Sequence, residues 1–527
     1  MQLRLAVPAH EETGDPAIET RPAFVGDWLA SLPLTNPIEA ARSARDGLYA
    51  LNRRKIAEDQ RLKLLELYRI TIEQLLSTLE PYYLGMGLPI PDKGRQAAAV
   101  ARELLGEAAY GYKILLVDQA DRRSAVRANK YLPLIVERAV SALAGILVVC
   151  YETYAPTPAG VWAELHQLFR YAFEHKIHDE PVEHASETRS VTLAYKQTLL
   201  LALTDPYRLM QGEVNLVLDY LARFGLEAHL MQASESVRPL ALFLVCLESD
   251  KPPRALSQVP QPPNAASDIL LDTLELARKI HHDLSELEAG TDPHSLNLPV
   301  QAKASSYREL LRRLLKHWGA APKRHYPRTP ASDTLELCAG LRALHHFLGG
   351  GAEDAASTQD ITEISVQVTP SPLDAASQTT YRSMRWATLN ESAGGIAAAH
   401  TATEKIQVRV GEIVGLRADD QEPWHVGVVR WMKAPAPQQL ELGIQMLSPT
   451  AKPIMIRPVV AALGDDFKPA LLLPEVPLLK QAAALVALAG TFSRMRELEL
   501  RDGDGAQNVR AMTLREQGNG FELIDIA

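Results

Sequence analysis

A chain of 527 residues exceeds the size at which one hydrophobic core keeps growing, so its length predicts about three domains. The formal net charge of −9 excludes an overall attraction to nucleic acid or to an anionic membrane, so an anion site needs local arginines. The three cysteines, Cys150, Cys246 and Cys338, lie far apart in apolar stretches. That placement is typical of buried thiols and argues against disulfide or metal-binding roles.

Residues 1–30 are predicted to form an N-terminal tail. The first twenty residues contain four acidic residues and two prolines but no apolar run of signal-peptide length, so we expect a cytoplasmic protein. The longest apolar run, residues 139–151, is well short of the ~20 residues that a membrane-spanning helix needs. We therefore expect a buried core helix there and no membrane insertion.

Apolar residues recur at helical spacing from residue 36 to residue 224. One stripe comprises Leu65, Tyr68, Ile72, Leu75, Leu76 and Leu79 and ends before Pro81. Further helices are predicted over residues 93–117, 125–151, 158–175, 190–203 and 209–224, whereas residues 236–248 fit a strand or a helix. Consecutive amphipathic helices bury their stripes against one another, so residues 31–250 are predicted to form a helical bundle or a stack of helical hairpins.

Five prolines mark residues 251–266 as an exposed linker. A second helical group is predicted over residues 267–350, with helices at 268–287, 306–318 and 334–348. Residues 308–328 carry seven lysines or arginines against one acidic residue. This basic segment is either a solvated helix face and loop or a surface that binds an anion or a partner.

Beyond Gly351 the apolar period changes from 3.6 to 2, which predicts short β-strands. The predicted strands lie at residues 361–369, 386–389, 396–399, 413–416, 425–433 and 440–447, and they predict a small antiparallel β-barrel over residues 358–455. Strand patterns continue through residues 456–527, which either extend the barrel or form a second β module. The predicted fold class is α+β and multidomain, with an all-α N-terminal body, a small antiparallel barrel and a β-rich C-terminal extension.

Four short segments of the β region resemble one known family. Residues 390–395 (NESAGG) resemble the Asp/Asn-x-Ser-x-x-Gly motif of PilZ domains. Residues 410–414 (VGEIV), 425–431 (HVGVVRW) and 442–446 (LGIQM) resemble later strands of that family. The resemblance covers residues 360–450. It implies a PilZ-like barrel with cyclic di-GMP as its ligand. No cofactor is predicted, and the spacing of the histidines and cysteines predicts no metal site.

The residue types of the motif suit such a ligand. Asn390 and Ser392 stand at alternate positions, so their polar groups point the same way from a strand end, and Gly395 lets a ligand approach the backbone. By resemblance, these residues hold one guanine and its sugar-phosphate side. The alternative is a plain β-hairpin turn, because Asn, Ser and paired glycines are residues that turns prefer.

The resemblance also implies an Arg-x-x-x-Arg segment before the first strand, whose guanidinium groups clamp phosphates and stack on or pair with guanine. Residues 361–369 are predicted to be that strand, and the position before it is empty, because no arginine or lysine occurs between Arg342 and Arg382. Arg382 and Arg385 are the nearest pair, spaced one residue too short, so the arginine motif is predicted to be degenerate. Arg409, Arg430 or the basic helix at Arg308, Arg312, Arg313 and Lys316 are further candidates.

The sequence contains no Gly-Lys-Ser/Thr phosphate loop, nucleophile elbow or zinc-protease motif, so it predicts no enzyme. We expect a regulatory protein that binds cyclic di-GMP through the β module. Binding would act on an unidentified protein partner through the helical body. No DNA or RNA partner is expected. The alternative is an interaction scaffold or chaperone-like protein whose degenerate PilZ domain binds no nucleotide.

Overall fold

The chain divides into two compact units. The first comprises Met1–His325, Glu404–Ile406 and Lys433–Gln439, and the second comprises Tyr326–Thr403, Gln407–Met432 and Leu440–Ala527. The computed structural model describes residues 3–10, 19–121, 130–184, 187–233, 241–319, 327–351, 381–401, 407–419, 422–460, 466–475, 482–502 and 505–527.

The first unit is mainly helical. Its described helices are α1 (Pro22–Ala30), α2 (Pro37–Arg53), α3 (Glu58–Leu79), α4 (Asp92–Asp121), α5 (Leu132–Glu152), α6 (Val161–Glu174), α7 (Val191–Leu203), α8 (Glu213–Phe224), α9 (Leu274–Ala289) and α10 (Ser305–Gly319). The predicted stripe on α3 is buried at Leu65, Tyr68 and Ile72. Helix α2 begins with Pro37, where a missing N–H costs nothing. The predicted helical N-terminal body is confirmed.

Helix α5 contains the longest apolar run of the chain. With 21 residues it is long and apolar enough to cross a membrane, but 67% of its most apolar window is buried inside the protein. Its buried charges are paired, since Arg138 Nη1 donates to Glu137 Oε2 at 2.8 Å, and an unpaired charge there would cost several kcal/mol. The helix packs as a core element of the helical body.

The carboxyl group at the end of α5 predicts a pH-dependent stability. Burial of Glu152 and the nearby Glu80 carboxylate raise the Glu152 pKa to about 8, from an ordinary value of 4.5. Between these values the folded state holds a proton that the unfolded chain releases, so the free energy of unfolding falls as pH rises. We expect the stability of Glu152→Gln relative to the native protein to increase by up to about 4 kcal/mol between pH 5 and pH 8.5. Thermal unfolding followed by helical circular dichroism checks this, and a difference independent of pH would contradict it.

Two small sheets complete the first unit. Strands β1 (Val182–His184) and β2 (Glu187–Arg189) form a hairpin, and β3 (His229–Gln232), β4 (Leu242–Cys246), β5 (Arg254–Ala255) and β6 (Asp268–Asp272) form a sheet of order β3-β6-β4-β5. The predicted helix at 268–287 is wrong at its start, because Leu270 and Leu271 are both fully buried within this sheet. Asp272 Oδ1 then accepts from Leu274 N at 2.9 Å, where α9 begins. The proline-rich residues 251–266 contribute β5.

The second unit begins with a barrel. Its elements are β7 (Thr329–Pro330), β8 (Thr334–Ala339), α11 (Leu341–Leu348), β9 (Ser383–Ser392), β10 (Gly395–Thr401), β11 (Ile413–Arg417), β12 (His425–Ala436) and β13 (Gln439–Ser448). The sheet order is β10-β13-β12-β11-β8-β9-β7, and β10 also pairs with β9, which closes six strands into a barrel. Strand β7 pairs with Asn390 and Glu391 of β9, on the edge of β9 that faces β8.

The predicted helix at 334–348 is wrong in its first half. Leu335 and Leu337 are buried in β8 at alternate positions, which is a strand pattern. Gly340 has φ +92° and ψ +148°, a conformation that glycine adopts without strain, and α11 begins directly after it. The first described strand of the barrel is therefore β8. The predicted strand at 361–369 lies outside the described residues.

Residues after 451 form a second closed barrel. Its strands are β14 (Lys452–Pro458), β15 (Lys468–Leu473), β16 (Ala484–Leu488), β17 (Glu497–Asp502), β18 (Gly505–Gln517) and β19 (Phe521–Ile526), in the order β14-β15-β16-β19-β18-β17. Ile454, Leu485 and Ile524 belong to the cluster that fills its interior. The predicted β-rich C-terminal extension is confirmed, and of the two alternatives it is a β module of its own.

Candidate functional site

The predicted motif forms the hairpin between β9 and β10. Ser392 pairs with Gly395 across the turn, and Asn390 pairs with Ala397 two residues further from it. Asn390 and Ser392 are half-buried, and both lie beyond the β-bulge that shifts the register of β9 between Thr388 and Asn390. Because alternate residues of a strand face the same side, both polar side chains lie on one face at the end of β9.

The Ser392 and Asn390 side chains of this hairpin differ in their hydrogen bonds to other protein atoms. Ser392 Oγ donates to the Gly395 carbonyl oxygen at 3.2 Å, which orients the hydroxyl and leaves its lone pairs able to accept. None of the described residues hydrogen-bonds to the Asn390 side chain. The amide of Asn390 can therefore supply both a donor and an acceptor to a ligand.

Gly395 lies where β10 meets β13. A Cβ atom at this position would stand 2.2 Å from the Ile444 carbonyl oxygen, a distance that real contacts do not reach. Next to it, Met446 N donates to the Gly394 carbonyl oxygen at 3.2 Å. The glycine therefore permits close packing of the hairpin on β13, a role that the sequence did not reveal.

Arg382 and Arg385 do not lie beside this hairpin. Arg385 is exposed on β9, opposite Glu336 of β8. It precedes Ser392 by seven residues on the same strand, a separation of about 20 Å at ~3.3 Å per residue. Arg382 is exposed and precedes β9. The structure thus brings Asn390, Ser392 and Gly395 together and does not bring these two arginines to them.

A different arginine stands next to the motif. Thr329 of β7 pairs with Glu391, and Pro330 pairs with Asn390. Continuing this antiparallel register by one residue sets Arg328 opposite Ser392. Arg328 is exposed, so its guanidinium group is accessible to a ligand at the hairpin.

The spacing around Arg328 offers a second candidate for the arginine motif, beside the pair Arg382 and Arg385 that the sequence predicts. The first described barrel strand is β8, so the segment that precedes the first strand is residues 320–330. The sequence pattern predicts it just before residue 361. Arg324 stands four residues before Arg328, which is the Arg-x-x-x-Arg spacing that the resemblance implies; Arg324 itself lies outside the described residues. This pair belongs to the basic segment 308–328, which the helix predicted at 334–348 separated from the predicted barrel.

Three of the other candidate arginines, Arg430, Arg312 and Arg313, have guanidinium groups paired with acidic side chains. Arg430 Nη2 donates to Glu516 at 2.7 Å, Arg312 Nη2 donates to Glu288 at 2.8 Å, and Arg313 Nη1 donates to Glu213 at 3.0 Å. Arg409 N donates to Glu412 Oε2 at 2.9 Å, and burial raises the Glu412 pKa to about 7. Within the described residues, no three metal-ligating side chains form a group that could hold a metal ion.

Comparison with known proteins identifies the domains of the chain. The chain matches three family models in order: the N-terminal domain of the cyclic-di-GMP receptor FimW over residues 23–235, its middle PilZ domain over 242–363 and 352–453, and its C-terminal β-barrel domain over 454–527. The cyclic-di-GMP receptor FimW of Pseudomonas aeruginosa is 28% identical over 535 aligned residues, which cover 92% of this chain and 86% of that protein. The predicted recognition is confirmed: this chain contains a PilZ domain, set between regions that match the N-terminal and C-terminal domains of FimW.

Proposed function

We propose that this protein is a cyclic di-GMP receptor that binds the nucleotide at the β9–β10 hairpin, with Asn390, Ser392 and Arg328 as its contacts. The Arg-x-x-x-Arg spacing adds Arg324 as a candidate on the sequence alone. The observation that carries the proposal is the pairing of β7 with β9, which sets Arg328 beside the PilZ motif. The name of the similar protein, a cyclic-di-GMP receptor, supports the ligand.

The chemistry of these residues fits the two halves of the ligand. A guanidinium group donates two parallel hydrogen bonds to a phosphate or to the O6 and N7 acceptors of guanine. The Asn390 amide and the Ser392 hydroxyl offer donors and acceptors to the sugar-phosphate side. Since the whole chain carries a net charge of −9, these local arginines must supply the attraction for a dianion.

Isothermal titration with cyclic di-GMP tests the site. We expect the native protein to bind in the micromolar range or tighter, and Ser392→Ala to raise Kd by about tenfold through loss of one hydrogen bond to a charged ligand. Arg385→Ala is the matched control on the same strand and should leave Kd unchanged.

Each other result has a clear meaning. A large loss in Arg382→Ala or Arg385→Ala would favour the arginine pair first predicted from the sequence. No heat at millimolar ligand would favour the alternative function, a scaffold whose PilZ domain binds no nucleotide.

We infer that the protein acts by binding and not by catalysis. The similar protein is named as a receptor, which supports this role. Incubation with cyclic di-GMP followed by chromatography should recover the nucleotide unchanged. We place the protein in the cytoplasm, without a DNA or RNA partner, and cell fractionation checks that location.

The helical body is the proposed output of the receptor, through a protein partner. Phe24 and Trp28, on one face of α1, are 52% and 38% exposed, which is unusual for large aromatic side chains and typical of interaction surfaces. Capture from lysate with and without cyclic di-GMP tests the relay. A partner that binds equally in both conditions, or that ignores Phe24→Ser, would contradict it.

A further inference from the structure

The C-terminal barrel shares a hydrophobic core with the PilZ barrel inside the second unit. The cluster contains Leu344, Ile413 and Val428 from α11, β11 and β12, together with Leu471, Val486 and Phe521 from β15, β16 and β19. A shared core of this kind fixes two elements against each other, because close-packed interiors resist deformation.

The turn between β18 and β19 meets the PilZ barrel through its backbone. Asn519 N donates to the Gly411 carbonyl oxygen at 2.6 Å. A Cβ atom on Gly518 would stand 2.5 Å from the same oxygen. Backbone-to-backbone contact at this point leaves little freedom for the neighbouring residues of β18.

One of those residues is Glu516, which begins a chain of side-chain contacts toward the candidate site. Both terminal nitrogens of Arg430 donate to the Glu516 carboxylate, one of them at 2.7 Å. The remaining nitrogen, Arg430 Nε, donates to Gln445 Oε1 at 2.8 Å. The ion pair is shielded, with side-chain exposures of 28% for Arg430 and 20% for Glu516.

Gln445 connects this chain to the motif hairpin. Its two chain neighbours both contact the hairpin. The carbonyl oxygen of Ile444 packs against Gly395, and the N–H of Met446 donates to the Gly394 carbonyl oxygen. The segment 444–446 of β13 is therefore held from one side by Arg430 and contacts the hairpin on the other.

We propose that Glu516 of the C-terminal barrel is a positioning residue for the nucleotide site of the PilZ domain. Glu516 fixes Arg430 in a bidentate geometry, Arg430 fixes Gln445, and β13 then holds the hairpin that presents Asn390 and Ser392. The inference rests on the proposed function for its ligand. Its structural part concerns the protein without nucleotide and is measurable alone.

Glu516→Ala in the full-length protein tests both parts. Without nucleotide, hydrogen exchange of a peptide containing Met446 should accelerate by about fivefold, because the Met446 N–H opens more often. In titrations, Kd for cyclic di-GMP should rise by about tenfold. Glu497→Ala is the matched control: Glu497 pairs with Arg510 at 2.8 Å on the same barrel, and its removal should change neither quantity.

A conservative variant separates positioning from general stability. Glu516→Gln keeps a side-chain oxygen that accepts from Arg430 and leaves the bond from Arg430 to Gln445 in place, so it should retain most of the native Kd that Glu516→Ala loses. Unchanged exchange at Met446, a Kd that stays constant or falls in Glu516→Ala, or an equal effect of Glu497→Ala would overturn the inference. If the native protein binds no cyclic di-GMP, the proposed function fails, and the exchange experiment still decides whether Glu516 holds β13.

Discussion

Replacing both Arg324 and Arg328 with alanine is expected to weaken cyclic di-GMP binding by two orders of magnitude or more. Each guanidinium group that donates to a phosphate or to guanine contributes about 1.5–3 kcal/mol, and a factor of ten in Kd corresponds to about 1.4 kcal/mol. Isothermal titration of the double variant and of each single variant measures the loss. The double variant Arg382→Ala with Arg385→Ala removes the same charge and should bind as the native protein does.

Salt dependence gives a second readout of the same arginines. Binding of a dianion by accessible guanidinium groups weakens as ionic strength rises, because exposed charges are screened beyond about 10 Å at 0.1 M salt. The native Kd should therefore rise with salt, and the residual Kd of the Arg324 and Arg328 double variant should rise less. Equal salt slopes would contradict a role for these arginines.

The helical half of the fold was accessible to sequence reasoning because its signal is long. The apolar stripe lies on α3, a helix of 22 residues, and α5 has 21 residues, so each apolar pattern repeats over several helical turns. Short buried strands carry no such repeat. Asp268–Asp272 has two adjacent buried leucines, and Thr334–Ala339 runs directly into α11, so both were predicted as the first turns of helices.

The residues of the candidate site also differ in how far local sequence predicts them. Asn390, Ser392 and Gly395 form a local pattern, and the hairpin that they form keeps them together. Arg328 reaches the motif only through a pairing with residues more than sixty positions later in the chain. Such a register depends on the whole barrel and not on local spacing. Once Thr334–Ala339 is known to be a strand, the Arg-x-x-x-Arg spacing upstream becomes visible.

Replacing Gly395 with alanine is expected to destabilise the PilZ barrel by about 2–3 kcal/mol and to abolish nucleotide binding. The added Cβ would stand 2.2 Å from the Ile444 carbonyl oxygen, and that oxygen belongs to the backbone of β13 and cannot rotate away. Relief requires β10 to separate from β13, at the cost of local packing and of the hydrogen bond from Met446 N to Gly394. Urea denaturation measures the stability, and titration measures the binding.

Gly505→Ala is the matched control, because a Cβ atom there meets nothing within 4 Å, and its effect should stay within about 0.5 kcal/mol. The contrast with Ser392→Ala is equally informative, since that change removes a ligand contact and leaves the packing on β13 intact. Native stability combined with a raised Kd in Gly395→Ala would show that the glycine serves ligand approach, as the sequence first indicated. Joint loss of stability and binding would instead show that the packing of β10 on β13 is what holds Asn390 and Ser392 in place for the nucleotide.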